Sequence, residues 1–154
     1  YQDGNNVNAR TKMLNAAYYA GIAFTQSYVG YVHAVAHSLG GKYNVPHGLA
    51  NAVILPYVLR KYGRKIYRKL WQLGIAANLF DQTTPYEVGA KLFIHKIEDM
   101  NQAMNIPTNL PEIKNQDIAS LAKTAAKEAN PLYPVPVLWT TKELTEIYQA
   151  VKNG

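Results

Sequence analysis

Cysteine is absent from the 154 residues. That removes disulfides and thiolate chemistry, so any metal has to be held by imidazole and carboxylate. Carboxylates are scarce as well: between Asp3 and Asp81 there is neither Asp nor Glu. Residues 1–80 hold nine basic side chains against that one Asp, and residues 81–154 hold seven against nine acidic ones, so the net charge of +6 sits in the first half. Residues 13–41 have no charge of either sign. A run of that length raises the membrane question, but Asn15, Gln26, Ser27, His33, His37 and Ser38 interrupt it and Gly21 and Gly30 loosen it. Helices buried in a soluble core fit better, and no membrane partner is expected. With 48% apolar and 17% charged residues, the composition also excludes a disordered chain. The opening "YQDGNN" has neither an initiator Met nor a charged-then-apolar leader, so the chain reads as a segment of something longer rather than one led by a signal peptide. A reducing cytoplasm, the expected location, is compatible with the missing cysteine.

What remains reads almost entirely as helix. Asn5 or Asn6 caps a first segment in which Met13, Ala16, Ala17, Ala20 and Phe24 recur at helical spacing. Ala16, Ala17, Ala20, Gly21 and Ala23 are small enough for a neighbouring backbone to come close. A second helix is predicted over 29–39, stopped by Gly40-Gly41. A third starts after Pro46, and Pro56 should kink or split it. "RKIYRKLWQLGIA" is amphipathic, "TTPYEVGAKLF" opens with a Thr cap and an early Pro85, and two further helices begin at "NQDIASL" and "TTKELTE". "IPTNLPEIK" and "NPLYPVPVLW" are proline-rich connections. Nothing alternates as a strand and no linker divides the chain. The predicted fold is all-α, a single helical bundle over residues 1–154.

Arg60, Arg64 and Arg68 are spaced by four, as are Lys61, Lys65 and Lys69, which on one helix would make a broad basic stripe. Tyr62 and Tyr67 lie between them, a crude nucleic-acid signature. The stripe is short and Gly63 breaks it, so a solvated face is the preferred reading over a nucleic-acid partner.

Three of the four histidines fall within "YVHAVAHSLGGKYNVPHGL". His33 and His37, four apart, leave one helix face a turn apart. His47 follows just past the glycine pair, in the first turn of the next helix. If the two helices fold back on each other, three imidazoles converge, and neutral imidazoles suit zinc or iron. The competing reading is three packed histidines satisfied by backbone groups, since His-x-x-x-His is common in helices. No carboxylate is near enough in sequence to complete an ordinary His-plus-carboxylate site. His95, beside Glu98 and Asp99, reads as a surface or helix-packing residue.

"MLNAAYYAGIAF", "GYVHAVAHSLGG" and "PHGLANAVILP", with "NPLYPVPVLWTTKELTEIYQAV" at the end, resemble the C-terminal helical domain of the iron-containing (group III) alcohol dehydrogenases over essentially the whole chain. The resemblance implies a metal-dependent alcohol dehydrogenase that transfers hydride between a small alcohol or aldehyde and NAD or NADP. The nucleotide would be held by an N-terminal α/β domain absent from this chain. It implies one catalytic Fe²⁺ (or Zn²⁺) with His33 and His47 as ligands, and His37 as the catalytic proton relay rather than a chelator paired with His33. The family's other two ligands, an Asp and a His, come from an upstream helix that this sequence lacks. This chain alone is therefore expected to be a weak metal binder without activity. Ala34, Ala36, Gly40 and Leu49 would wall the cavity, and Gly48 would permit close backbone approach. Apolar surface left bare by the missing helices favours self-association or contact with the missing piece, and a homo-oligomer is the expected partner state.

Overall fold

The computed structural model describes residues 1–154 as seven α-helices without a strand: α1 Val7–Ser27, α2 Tyr31–Tyr43, α3 His47–Tyr62, α4 Tyr67–Ala76, α5 Tyr86–Ala103, α6 Asn115–Ala129 and α7 Thr141–Asn153. The all-α expectation holds. Its core is one cluster of 27 buried apolar residues. Helix α2 lies between α3 and α6, α7 closes against α6 and α3, and the α4–α5 pair joins through the α3–α5 contact. No helix is long and apolar enough to cross a membrane.

Helix α1 begins as its sequence suggests, with the Asn6 side chain accepting from the Ala9 N–H at 3.0 Å. It then departs from expectation, because none of its residues is buried. The small-residue face meets no neighbour, and a Cβ added at Gly21 would touch nothing within 4 Å. Met13, Leu14, Tyr18 and Tyr19 are all exposed.

The glycine pair does not stop α2. The helix runs on through Gly40 and Gly41 to Tyr43, and Asn44 ends it in the left-handed region (φ 55°, ψ 31°) with its N–H on the Gly40 carbonyl. Asparagine tolerates this conformation better than other non-glycine residues. The Tyr43 hydroxyl donates to Asp117 Oδ2 at 2.8 Å and accepts the Lys114 N–H at 3.0 Å, tying the end of α2 to the start of α6. The Asp117 carboxyl is held below its ordinary range, first by that tyrosine and then by Lys42.

Pro56 does not split α3 either. Proline lacks the N–H that would bond the carbonyl four residues back, which is that of Ala52. Asn101 of α5 supplies the missing donor, its Nδ2 lying 2.8 Å from the Ala52 oxygen. Asn101→Ala should therefore destabilise the chain by about 1–3 kcal/mol, the cost of a partly buried group left unpaired. Urea denaturation followed by circular dichroism measures it, and a loss within experimental error would show that water replaces the amide.

Where α4 packs on α5, two glycines make room for aromatic side chains. A Cβ at Gly74 would lie 2.1 Å from the Phe80 ring, and one at Gly89 would lie 2.6 Å from Trp71. Pro85, not a threonine side chain, precedes α5. The Thr84 carbonyl instead accepts from Trp71 Nε1 at 2.7 Å. At α7 the threonine cap is real: Thr140 and Glu143 form a reciprocal capping box.

The basic stripe is not continuous. Helix α3 ends at Gly63 (φ 54°), and a 3₁₀ turn over Gly63–Lys65 separates it from α4. Arg60 pairs with Glu98, and Lys61 with Glu146 at 2.6 Å. Lys61 also lies 5.7 Å from the centre of the Trp139 ring. The basic side chains are thus divided between elements and partly neutralised, which favours the solvated-face reading.

Candidate functional site

His33 and His37 leave α2 one turn apart, and His47 is the first residue of α3. The left-handed cap at Asn44 and the extended Pro46 turn the chain back between the two helices, so the three rings meet. Their centres lie 5.8 Å (His33–His37), 5.4 Å (His33–His47) and 5.3 Å (His37–His47) apart. His95 takes no part; it is exposed on α5, near Glu98 and Asp99.

No ring nitrogen of the three bonds to a backbone carbonyl. His37 Nδ1 is 2.7 Å from Glu128 Oε1, and His47 Nε2 is 2.9 Å from Asn51 Nδ2. The Asn51 amide also donates to the His47 carbonyl at 3.0 Å, while its Oδ1 is buried without a partner. An amide donor on His47 Nε2 requires a lone pair there, which makes that ring neutral with its proton on Nδ1. Burial lowers the His33 pKa, and the neighbouring His47 and His37 lower it further against a weaker opposing effect of Glu128. His33 is accordingly a neutral imidazole with a free lone pair at pH 7.

The site opens to two sides. His33 and Asn51 line a groove of about 580 Å³ whose other walls include Val32, Leu55, Leu59 and Val135. His37 and Glu128 line a polar, open depression of about 330 Å³ with Lys42, Ser120 and Thr124. The expected walls differ: Ala34 and Ala36 are buried in the core, and a Cβ at Gly48 would meet nothing within 4 Å. No group of three or more His, Cys, Asp or Glu side chains has its donor atoms arranged round a common metal position.

Sequence reading missed Glu128, Asn51 and Tyr133. Asn51, four residues after His47, stands at a spacing that reaches back along a helix. Glu128 is 91 residues from His37 in the chain, and only the packing of α6 on α2 brings it near. The Tyr133 hydroxyl donates to the same Glu128 oxygen at 2.7 Å. Burial, then that carboxylate, pushes the Tyr133 pKa up to about 12.

The chain is similar to known proteins over nearly its whole length. The chain is 40% identical over 151 residues to alcohol dehydrogenase 4 of Saccharomyces cerevisiae, covering 96% of this chain and 38% of that protein. It is 37% identical over 150 residues to 1,3-propanediol dehydrogenase of Citrobacter freundii, covering 95% and 38%. The solved structure of a 1,3-propanediol oxidoreductase superposes with a TM-score of 0.89 at 32% identity, over 96% of this chain and 39% of that one. An alcohol dehydrogenase from Oenococcus oeni gives a TM-score of 0.89 at 30% identity, over 97% and 39%. The chain thus spans well under half the length of these relatives. Residues 1–152 match the model of the Fe-containing alcohol dehydrogenase family, C-terminal. By sequence and by fold, this chain belongs to the C-terminal domain of the Fe-containing alcohol dehydrogenase family.

Proposed function

We propose that this chain is the metal-holding part of an NAD(P)-dependent alcohol dehydrogenase whose nucleotide is bound by a separate α/β domain. In this reading His33 and His47 are two ligands of one divalent cation, Fe²⁺ or Zn²⁺, and His37 moves the proton. The observation that carries it is the meeting of three imidazoles from two helices, each without a carbonyl partner that would explain it as packing. Neutral rings at His33 and His47 fit the donor chemistry, because a cation needs the lone pair and competes with a proton for it. When bound, the metal supplies Lewis acidity toward the alcohol or carbonyl oxygen. The groove beside His33, largely apolar, suits the carbon chain of a small alcohol or aldehyde. Relatives named as an alcohol dehydrogenase, a 1,3-propanediol dehydrogenase and an NADPH-dependent butanol dehydrogenase support a small alcohol or aldehyde as the substrate class. The exposed apolar residues of α1 support self-association of the chain.

Two ligands make an incomplete set. Titrating the 154-residue chain with Zn²⁺ should therefore give only weak binding, and the chain should reduce no NAD(P)⁺ with any alcohol. In a longer protein carrying this segment, chelation should abolish alcohol-dependent NAD(P)⁺ reduction, and Fe²⁺ or Zn²⁺ should restore it. Full activity after exhaustive, verified metal removal would end this reading.

A further inference from the structure

We infer that Glu128 is the positioning residue for His37, holding that ring in the Nδ1–H tautomer with its Nε2 lone pair free. An ionised carboxylate only accepts hydrogen bonds. With Glu128 Oε1 2.7 Å from His37 Nδ1, that nitrogen carries the hydrogen, and the lone pair of the neutral ring is on Nε2. The carboxylate is itself held. Tyr133 donates its hydroxyl to the same oxygen at 2.7 Å, and the Tyr133 N–H bonds the Ala129 carbonyl at 2.8 Å, fixing the tyrosine to the last turn of α6. A histidine without such a partner favours the opposite tautomer in water, with the proton on Nε2.

The placement has a consequence for the site. His37 is the member of the triangle that reaches the polar depression, with 43% of its side chain exposed, and Glu128 stands at that edge with it. His33 faces the apolar groove on the other side. The His37–Glu128 pair thus lines the solvent-facing depression, and His33 lines the groove. Because Glu128 occupies Nδ1, the atom left to take up a proton is Nε2. That role in proton transfer rests on the function proposed above; the tautomer itself does not.

The test is long-range ¹H–¹⁵N correlation of the histidine rings in the 154-residue chain at about pH 9, where neutral imidazole predominates. In the unaltered chain, His37 should show a protonated Nδ1 and an unprotonated Nε2. A charge-assisted hydrogen bond biases this equilibrium by about 10- to 100-fold. Glu128→Ala should transfer the majority of the population to Nε2–H. Glu128→Gln, whose side-chain carbonyl still accepts, should keep a smaller excess of Nδ1–H. An unchanged circular dichroism spectrum and an unchanged cooperative urea transition establish that the variants keep the fold. An Nε2–H ring in the unaltered chain would overturn the assignment, as would a tautomer ratio unaffected by Glu128→Ala. The first of these outcomes needs only the unaltered chain, so it stands even if the variants unfold. Neither metal nor hydride transfer enters the measurement, so loss of activity after chelation and the tautomer of His37 are judged separately.

Discussion

Replacing His33 or His47 with alanine in a longer protein that carries this segment should lower alcohol-dependent NAD(P)⁺ reduction by well over a hundredfold. Loss of a group that merely orients a metal ligand costs about 10- to 100-fold in affinity or activity, and loss of a ligand itself should exceed that. His33 is the more informative position. Its ring has no hydrogen-bonding partner in the structure, and burial among the other two imidazoles already disfavours its charged form. Removing it deletes a donor without leaving a buried partner unsatisfied, so little stability should be lost with the activity. His47→Ala removes the partner of Asn51, whose Oδ1 is already unpaired, and should perturb the start of α3 slightly more. His95→Ala, on an exposed face of α5, is the control and should leave the rate unchanged. Steady-state kinetics and metal content, measured together on the three variants, check this. Full activity in His33→Ala or His47→Ala at normal metal content would remove the ligand assignment.

How much of the fold and the site is legible in the sequence follows from how local each signal is. The helices of the bundle, the shared face of His33 and His37, and the Thr140 capping box rest on residues within a few positions of one another, and the sequence shows them, whereas His47 joins the pair only because α3 folds back on α2. Gly40-Gly41 misleads because a glycine pair is permissive for a helix end without being obligatory. Asn44 takes the left-handed cap, and the tie from Tyr43 to Asp117 extends α2 to meet it. Pro56 misleads for a related reason: the expected break is prevented by Asn101, far along the chain on α5, bonding the carbonyl that proline frees. Glu128 is invisible because the arrival of a carboxylate at His37 depends on which face α6 turns toward α2. The small-residue face of α1 has the composition of a packing surface. Within this chain nothing covers it, so the expected close approach does not occur.

Trp139→Ala should destabilise the chain by about 3–5 kcal/mol, the usual cost of truncating a buried large aromatic side chain. For a chain of this length that is a drop of about 6–20 °C in Tm. The ring is 3% exposed and stacks on Tyr31 at 4.6 Å, almost parallel at 7°, and on Tyr62 at 4.6 Å from the other helix of the site. Its backbone is equally engaged. The Trp139 N–H donates to the Tyr31 hydroxyl at 2.8 Å, that hydroxyl donates to Asn130 Oδ1 at 2.6 Å, and Asn130 Nδ2 returns to the Trp139 carbonyl at 2.9 Å. This closed set holds the proline-rich connection between α6 and α7 against the first turn of α2. Tyr31 is two residues before His33, so loosening the stack frees the end of α2 that aims that imidazole. Trp139→Phe keeps an aromatic surface and should recover more than half of the lost stability. Urea denaturation of the two variants, with the His33 ring signals followed by NMR, tests both steps. A loss below about 1 kcal/mol would mean that the cavity collapses freely. His33 signals unmoved in a destabilised Trp139→Ala chain would mean that α2 holds its histidines without help from the C-terminal connection.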